Sequence, residues 1–353
     1  MADYQRYALG TFRLQSGDLL HDAFLAYETH GRLNSNGDNA VLLPSWYTGT
    51  HRSWRSIIGA GRALDPARYF IIAVNMFGNG VSSSPSNSPT QGGPGFPAVS
   101  VGDNVRAQYR LLTEHLCVTE LALVAGWSMG AMQAWHWAAV YPQQVKALLP
   151  ICGSARCWPL NFVFLEGVKG ALLADAAFNH GNYTEPPRAG LAAFGRCYAG
   201  WAYSAAFYRD RLYQNLNFAT IEELLREWER DHCQWDANDL LCMLDTWQQA
   251  DIGRDPAFGG HFEEALGGIR ARTIVMPCDT DGYFTEEEAF TEYQLLKHAQ
   301  WRPLRSPYGH CAGAPGRFAA DTAIIEQAMA ELLEQRGFDP TADSHPGCGI
   351  VIR

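Results

Sequence analysis

Leu121-Ala-Leu-Val-Ala-Gly126-Trp127-Ser128-Met129-Gly130-Ala-Met-Gln-Ala-Trp-His-Trp-Ala-Ala-Val-Tyr-Pro142 is the stretch that decides how this 353-residue chain is read. The apolar run Leu121 to Ala125 has strand length, and the segment after Gly130 carries neither Gly nor Pro until Pro142, so a strand enters a very tight turn and a helix leaves it. A serine forced onto so sharp a turn has a strained backbone, and Gly at 126 and 130 removes the side chains that would collide there. The Ser128 hydroxyl is then exposed at the helix N-terminus. There the Met129 backbone N–H and the positive end of the helix face any oxyanion formed at Ser128. Five residues of Gly-x-Ser-x-Gly mean little in a chain with 34 glycines. The flanking strand and helix give the pattern its weight.

Working outward, Tyr7–Leu14 and His21–Thr29 alternate polar and apolar residues around Ser16-Gly17-Asp18, as an antiparallel hairpin does. Val41–Trp46, Tyr69–Asn75, Lys146–Cys152 and Arg272–Cys278 read as buried strands, with a further short strand at Trp301–Ser306. Helices are expected over Ser53–Leu64, from Gly102 through Leu116, over Glu286–His298 and over Phe318–Gln335. Such alternation predicts an α/β fold with a mostly parallel sheet and helices on both faces. The segment from Gly78 to Pro97, crowded with Gly, Ser, Pro and Asn, is a long stretch without regular structure, of the functional or mobile kind. From 154 to 268 the rhythm breaks into helix formers and aromatics with no strand. The chain thus divides into a core domain, 1–153 with 269–353, and a helical insertion, 154–268. Most of the insertion's aromatics are expected to pack helix against helix, with Tyr203 among those lining a pocket. The tail after Gly337 reads as peripheral.

A net charge of −10 with no basic cluster argues against nucleic acid or an anionic membrane surface as partner. The N-terminus lacks the apolar core of a signal peptide, and no apolar run approaches the ~20 residues that span a bilayer. Nine cysteines, an odd number without CxxC pairs or zinc spacing, fit reduced thiols. A soluble, cytoplasmic protein is expected, with no metal and no cofactor.

A serine nucleophile needs a base within hydrogen-bond reach, itself oriented by a carboxylate. In this arrangement of elements the chain order is Ser, then acid, then His. His310, in Ser306-Pro-Tyr-Gly-His310, follows the last strand and precedes the final helix, where the base belongs; His298, His261 and His232 are poorer placed. Cys278-Asp279-Thr-Asp281-Gly282 offers two carboxylates beyond the penultimate strand. Asp281, further along the loop, is the one expected to reach the imidazole, with Asp279 as a turn former. A second oxyanion donor is expected from Ser45-Trp46-Tyr47-Thr48-Gly49, at the backbone N–H of Tyr47 or, failing that, Trp46.

These residues resemble the α/β-hydrolase superfamily, and within it the homoserine O-acetyltransferase group. Beside the Ser128 turn, the matches are Ile57-Ile-Gly-Ala-Gly-Arg-Ala-Leu-Asp65 with Arg68-Tyr-Phe70, Asn75-Met-Phe-Gly-Asn-Gly80, Gly102-Asp-Asn-Val-Arg-Ala-Gln108, Gly190-Leu-Ala192 and Ser306-Pro-Tyr-Gly-His310. The resemblance runs from about Ala26 to Phe318 and is weakest in the insertion. It implies an α/β-hydrolase fold, the triad Ser128, Asp281 and His310, a helical lid over a tunnel to the serine, and a homodimer built through the lid helices. Three departures stand out. Cys311 occupies the place of the family's aspartate after the histidine, which contacts the homoserine amino group; Ser45 replaces a histidine, and Ala131 a glycine. Arg196 is the candidate for the arginine that holds the homoserine carboxylate. Trp46, Arg196, Tyr203 and Cys311 are therefore the expected substrate contacts.

The expected activity is hydrolysis of short-chain acyl esters, acetates foremost, through an acyl-enzyme. The alternative is acetyl transfer from acetyl-CoA to homoserine or another alcohol by the same intermediate. A zwitterion held in an apolar tunnel needs a carboxylate for its ammonium, and Cys311 cannot supply one. A non-catalytic binding protein on the same scaffold has no need of Ser, acid and His in order.

Overall fold

The computed structural model describes residues 3–334. Its centre is one eight-stranded sheet: β1 (Gln5–Arg13), β2 (Leu19–His30), β3 (Ala40–Pro44), β4 (Phe70–Val74), β5 (Leu123–Trp127), β6 (Ala147–Ile151), β7 (Arg272–Val275) and β8 (Ala299–Trp301), in the spatial order β1-β2-β4-β3-β5-β6-β7-β8. β1 pairs antiparallel with β2, and β2 with β4; the other pairs are parallel. Every residue of β3, β4, β5 and β6 is buried, as central strands covered on both faces must be.

The helices are α1 (Val101–Arg110), α2 (Met129–Val140), α3 (Pro159–Leu173), α4 (Arg188–Ala202), α5 (Ala205–Arg209), α6 (Ile221–His232), α7 (Ala237–Gln248), α8 (Phe262–Gly267), α9 (Glu286–Tyr293) and α10 (Ala319–Glu334). Side-chain caps start several of them: Ser100 accepts from Asp103 N at α1, Thr220 from Glu223 N at α6, Asp236 from Asn238 N and Asp239 N at α7. Each satisfies N–H groups that the first turn leaves without intrahelical acceptors.

Several local expectations shift. The strand before Ser128 is Leu123–Trp127, two residues later than its apolar run, so it feeds the turn directly. The segment expected as helix over Ser53–Leu64 forms a 3-10 helix only at His51–Ile57, and beyond it Gly59 and Gly61 lie in turns. α9 stops at Tyr293, and the last strand is Ala299–Trp301 rather than Trp301–Ser306, because Pro303 cannot donate to a ladder. Residues 78–97 have almost no regular structure but are held fast: Ser83 Oγ and Ser82 Oγ accept from Phe24 N and Ala26 N on β2 at 2.8 and 2.9 Å, and the Asp239 carboxylate accepts from Ser86 N at 2.9 Å. Side-chain oxygens here do the work of a strand. Gln335 and the tail after Gly337 lie outside the described residues.

Between β6 and β7 the chain is helical among the described residues. An antiparallel bridge between Arg156 and Asp251 ties the outgoing and returning segments, and Cys157 N donates to Ala250 O at 2.7 Å. Glu292 of α9 secures the exit, accepting from Ala155 N at 3.0 Å and Trp158 Nε1 at 2.8 Å. Fully buried, its carboxyl is pushed up to about 8. The eight cysteines among the described residues are unpaired, and no helix there is long and apolar enough to cross a membrane.

Candidate active site

Ser128 stands between β5 and α2 with φ 57° and ψ −127°, a conformation that a non-glycine residue adopts only at a cost of about 1–3 kcal/mol. The surrounding backbone leaves no alternative. A Cβ on Gly126 would lie 2.1 Å from Gly130 O, and one on Gly130 would lie 2.9 Å from Pro44 O. Ala131, where the resembling family has glycine, is accommodated by Gly153, whose own Cβ would fall 2.5 Å from the Ala131 methyl. Ser128 N donates to Ile151 O at 3.0 Å, fixing the turn to β6.

His310 Nδ1 is 2.7 Å from Asp281 Oδ2, and neither side chain has more than 4 % of its surface exposed. The other carboxylate oxygen accepts from Tyr283 N and Phe284 N, both at 3.1 Å. Because a carboxylate can only accept, Nδ1 carries the proton, which leaves Nε2 free as a base. Trp127 stacks on the imidazole at 4.9 Å and donates from Nε1 to His310 O at 3.2 Å, while Tyr283 packs on it at 4.5 Å. Asp279 has a different place: it accepts from Ser306 N at 3.1 Å and lies 3.6 Å from Arg305.

Ser128 and His310 line one cavity of about 410 Å³, with Trp46, Tyr47, Tyr198, Trp228, His232 and Cys311 among its walls. The backbone N–H groups of Tyr47 and Met129 have no acceptor among the described residues. The loop that carries Tyr47 is braced from behind, since Gln133 Nε2 donates to Ser45 O at 2.8 Å, and Gln108 Nε2 donates to Gln133 Oε1 at 2.7 Å. Ser45 accepts from Met76 N through Oγ at 2.9 Å, a structural role that needs no histidine.

Two of the four expected substrate contacts, Trp46 and Cys311, line the cavity. Arg196 does not. It lies on α4 with both nitrogens engaged by α6, Nη1 at 2.5 Å from Glu229 and Nη2 at 2.9 Å from Glu222. It stands among carboxylates at the surface of the lid helices, outside the cavity lining. Tyr203 also stands outside the cavity lining: its ring stacks on Phe207 at 3.9 Å, and its hydroxyl accepts from Arg317 Nη2 at 2.6 Å. Arg317 itself lines the exposed mouth of the cavity, opposite Glu227 and Asp231 of α6. The cavity is therefore lined by aromatic rings and by exposed charged side chains. Neither these charges nor His232 was distinguishable in sequence from an ordinary solvated helix face. Among the described residues no group of His, Cys, Asp and Glu is arranged to hold a metal.

Residues 39–185 match the family described as alpha/beta hydrolase fold. An ethyl acetate hydrolase of Pseudomonas veronii is 39% identical over 92% of this chain and 93% of its own length, and a homoserine O-acetyltransferase of Trichormus variabilis is 34% identical over 94% of each. The solved structure of the acetyl esterase MekB superposes with a TM-score of 0.91 at 38% identity, over 94% of this chain and 97% of that one. Fold, serine turn and whole-length similarity agree that the chain belongs to the α/β-hydrolase superfamily, as a carboxylesterase-type hydrolase of the homoserine O-acetyltransferase-like group.

Proposed function

We propose that the protein hydrolyses acetate and other short-chain esters through an acyl-enzyme on Ser128, with His310 as base and Asp281 as its orienting acid. The observation that carries this reading is the convergence on one cavity of Ser128, of an imidazole whose Nδ1 is committed to Asp281, and of Tyr47, whose backbone N–H is unengaged, as is that of Met129 next to the serine. His310 Nε2 takes the Ser128 proton as Oγ bonds to the ester carbon. The carbonyl oxygen becomes an oxyanion facing the Tyr47 and Met129 N–H groups. Collapse breaks the bond to the alcohol oxygen, which leaves with the proton from His310. Water then gives a proton to His310 as its oxygen bonds to the acyl carbon; the bond to Ser128 Oγ breaks, the acid leaves, and His310 returns the proton to Oγ. The cavity volume of about 410 Å³ suits small esters. Acetate as the acyl group is supported by the names of the ethyl acetate hydrolase and the acetyl esterase MekB.

The helices of 154–268 serve in this reading as a lid: α4 brings Tyr198 to the cavity, and α6 brings Trp228 and His232. The outer face of α3 leaves Leu160, Phe162, Val163 and Leu173 exposed, which supports a homodimer through the lid. Unpaired thiols support a reducing, cytoplasmic setting.

Acetyl transfer to homoserine is the second reading. Arg317 and the carboxylates Glu227 and Asp231 at the rim favour it, since a zwitterion needs both signs. Against it stands Cys311, a buried thiol at the place where the homoserine O-acetyltransferase group carries an aspartate. Rates measured side by side, with ethyl acetate or 4-nitrophenyl acetate in water and with acetyl-CoA plus homoserine, separate the two. Efficient O-acetylhomoserine formation with slow ester cleavage overturns the hydrolase reading.

A further inference from the structure

Tyr47 and His232 both line the cavity, the first from the loop after β3 and the second from the last turn of α6. They meet the same two rings. Tyr47 lies 6.3 Å from Phe194 and 5.8 Å from Tyr198; His232 lies 5.4 Å and 5.8 Å from those residues. In this aromatic box the Tyr47 hydroxyl is buried without a hydrogen-bond partner among the described residues. Leaving such a group unsatisfied costs about 1–3 kcal/mol.

His232 Nδ1 lies 2.9 Å from Trp228 O. A carbonyl oxygen only accepts, so Nδ1 carries the hydrogen and Nε2 of the neutral ring is a bare acceptor. Burial holds the imidazole below its ordinary value, against the pull of the Asp231 carboxylate 3.5 Å from Nδ1, so the neutral form is the relevant one. The box thus offers one hydroxyl that donates or accepts and one nitrogen that accepts.

We propose that Tyr47 Oη and His232 Nε2 form a hydrogen-bonding subsite for a hydroxyl group on the ester, so that the preferred substrates are short esters with a free hydroxyl on the alcohol or acyl part. This rests on the hydrolase reading above and specifies its substrate class. A hydroxyl is the group that satisfies both partners, donating to His232 Nε2 and accepting from Tyr47 Oη. A carboxylate cannot donate to the nitrogen and faces Asp231, and a methyl satisfies neither.

The test compares kcat/KM within two isosteric pairs, 2-hydroxyethyl acetate against propyl acetate and ethyl glycolate against ethyl propionate, in wild type, Tyr47→Phe and His232→Leu. In at least one pair wild type is expected to favour the hydroxylated ester, and each substitution to lower that ratio about tenfold, the loss of one hydrogen bond to the substrate. Using a ratio within each variant removes any general loss of activity from the comparison. Circular dichroism reports whether the variants fold. Tyr47→Phe changes a single atom and keeps the test meaningful if His232→Leu does not fold. Ratios that stay at the wild-type value in both pairs, or a wild type that prefers the methyl members, overturn the subsite. A wild type that cleaves none of the four esters overturns the hydrolase reading instead.

Discussion

His310 Nδ1 sits 2.7 Å from Asp281 Oδ2, and the opposite oxygen of that carboxylate is clamped by two backbone N–H groups. Held this way, Asp281 fixes both the tautomer and the tilt of the imidazole. Asp281→Asn is expected to lower kcat on the order of a thousandfold or more, the scale seen when a triad acid is replaced by an amide. Asp279→Asn, whose carboxylate meets Ser306 N and Arg305, should stay within about tenfold of wild type. Initial rates on 4-nitrophenyl acetate decide the ranking, and its reversal would give the acid's role to Asp279.

Arg196 is tied to Glu222 and Glu229 at the surface of the lid helices. Arg196→Ala is expected to leave ester hydrolysis within about twofold, in line with surface changes remote from a site. A rise in KM of tenfold or more would place this arginine on substrate after all.

The turn at Ser128 depends on a missing side chain across from it. A Cβ on Gly153 would fall 2.6 Å from Ser128 O and 2.5 Å from the Ala131 methyl, so Gly153→Ala displaces the nucleophile. A loss of at least about tenfold in kcat/KM is expected, because sub-ångström misplacement of a reacting group is costly. Adding Ala131→Gly removes one of the two collisions and should recover part of the loss. Strictly additive effects in that double variant contradict the packing argument.

Glu292 links stability to pH. Its carboxyl titrates near 4.5 when solvated and at about 8 in the fold, where burial penalises the charge. Between those values the folded chain retains a proton that the unfolded chain has lost, so stability falls as pH rises through that window and levels off above it. Urea unfolding at about pH 5 and about pH 8 should show a difference smaller by about 1 kcal/mol or more in Glu292→Gln than in wild type. Equal differences in the two proteins refute the assignment.

Much of this was legible in the chain because the turn at Ser128 leaves so few choices. Glycines at 126 and 130 between an apolar run and a Gly-free helix point to a strand, an elbow and a helix, and the parallel sheet follows from the strands around them. Backbone donors at Tyr47 and Met129 were placed from topology alone. What stayed hidden depends on rotation about helices. Arg196 and Trp228 sit on helices whose facing residues cannot be known from a single helix, so neither the ion pairs of the one nor the cavity position of the other is legible in the sequence. Arg317, seven residues past His310, becomes a cavity residue only because the chain folds back through a 3-10 turn at Gly309–Gly313 before α10 begins. Ser82 and Ser83 have a loop's composition around them, yet they anchor that loop to β2.

The central claim is that an acyl group passes through Ser128. Enzyme mixed with 4-nitrophenyl acetate, quenched in acid and digested, should show by mass spectrometry an acetyl group on the peptide that carries Ser128, and Ser128→Ala should show neither the adduct nor turnover above background. Turnover by Ser128→Ala near the wild-type rate, or the acetyl group on another residue, would contradict it.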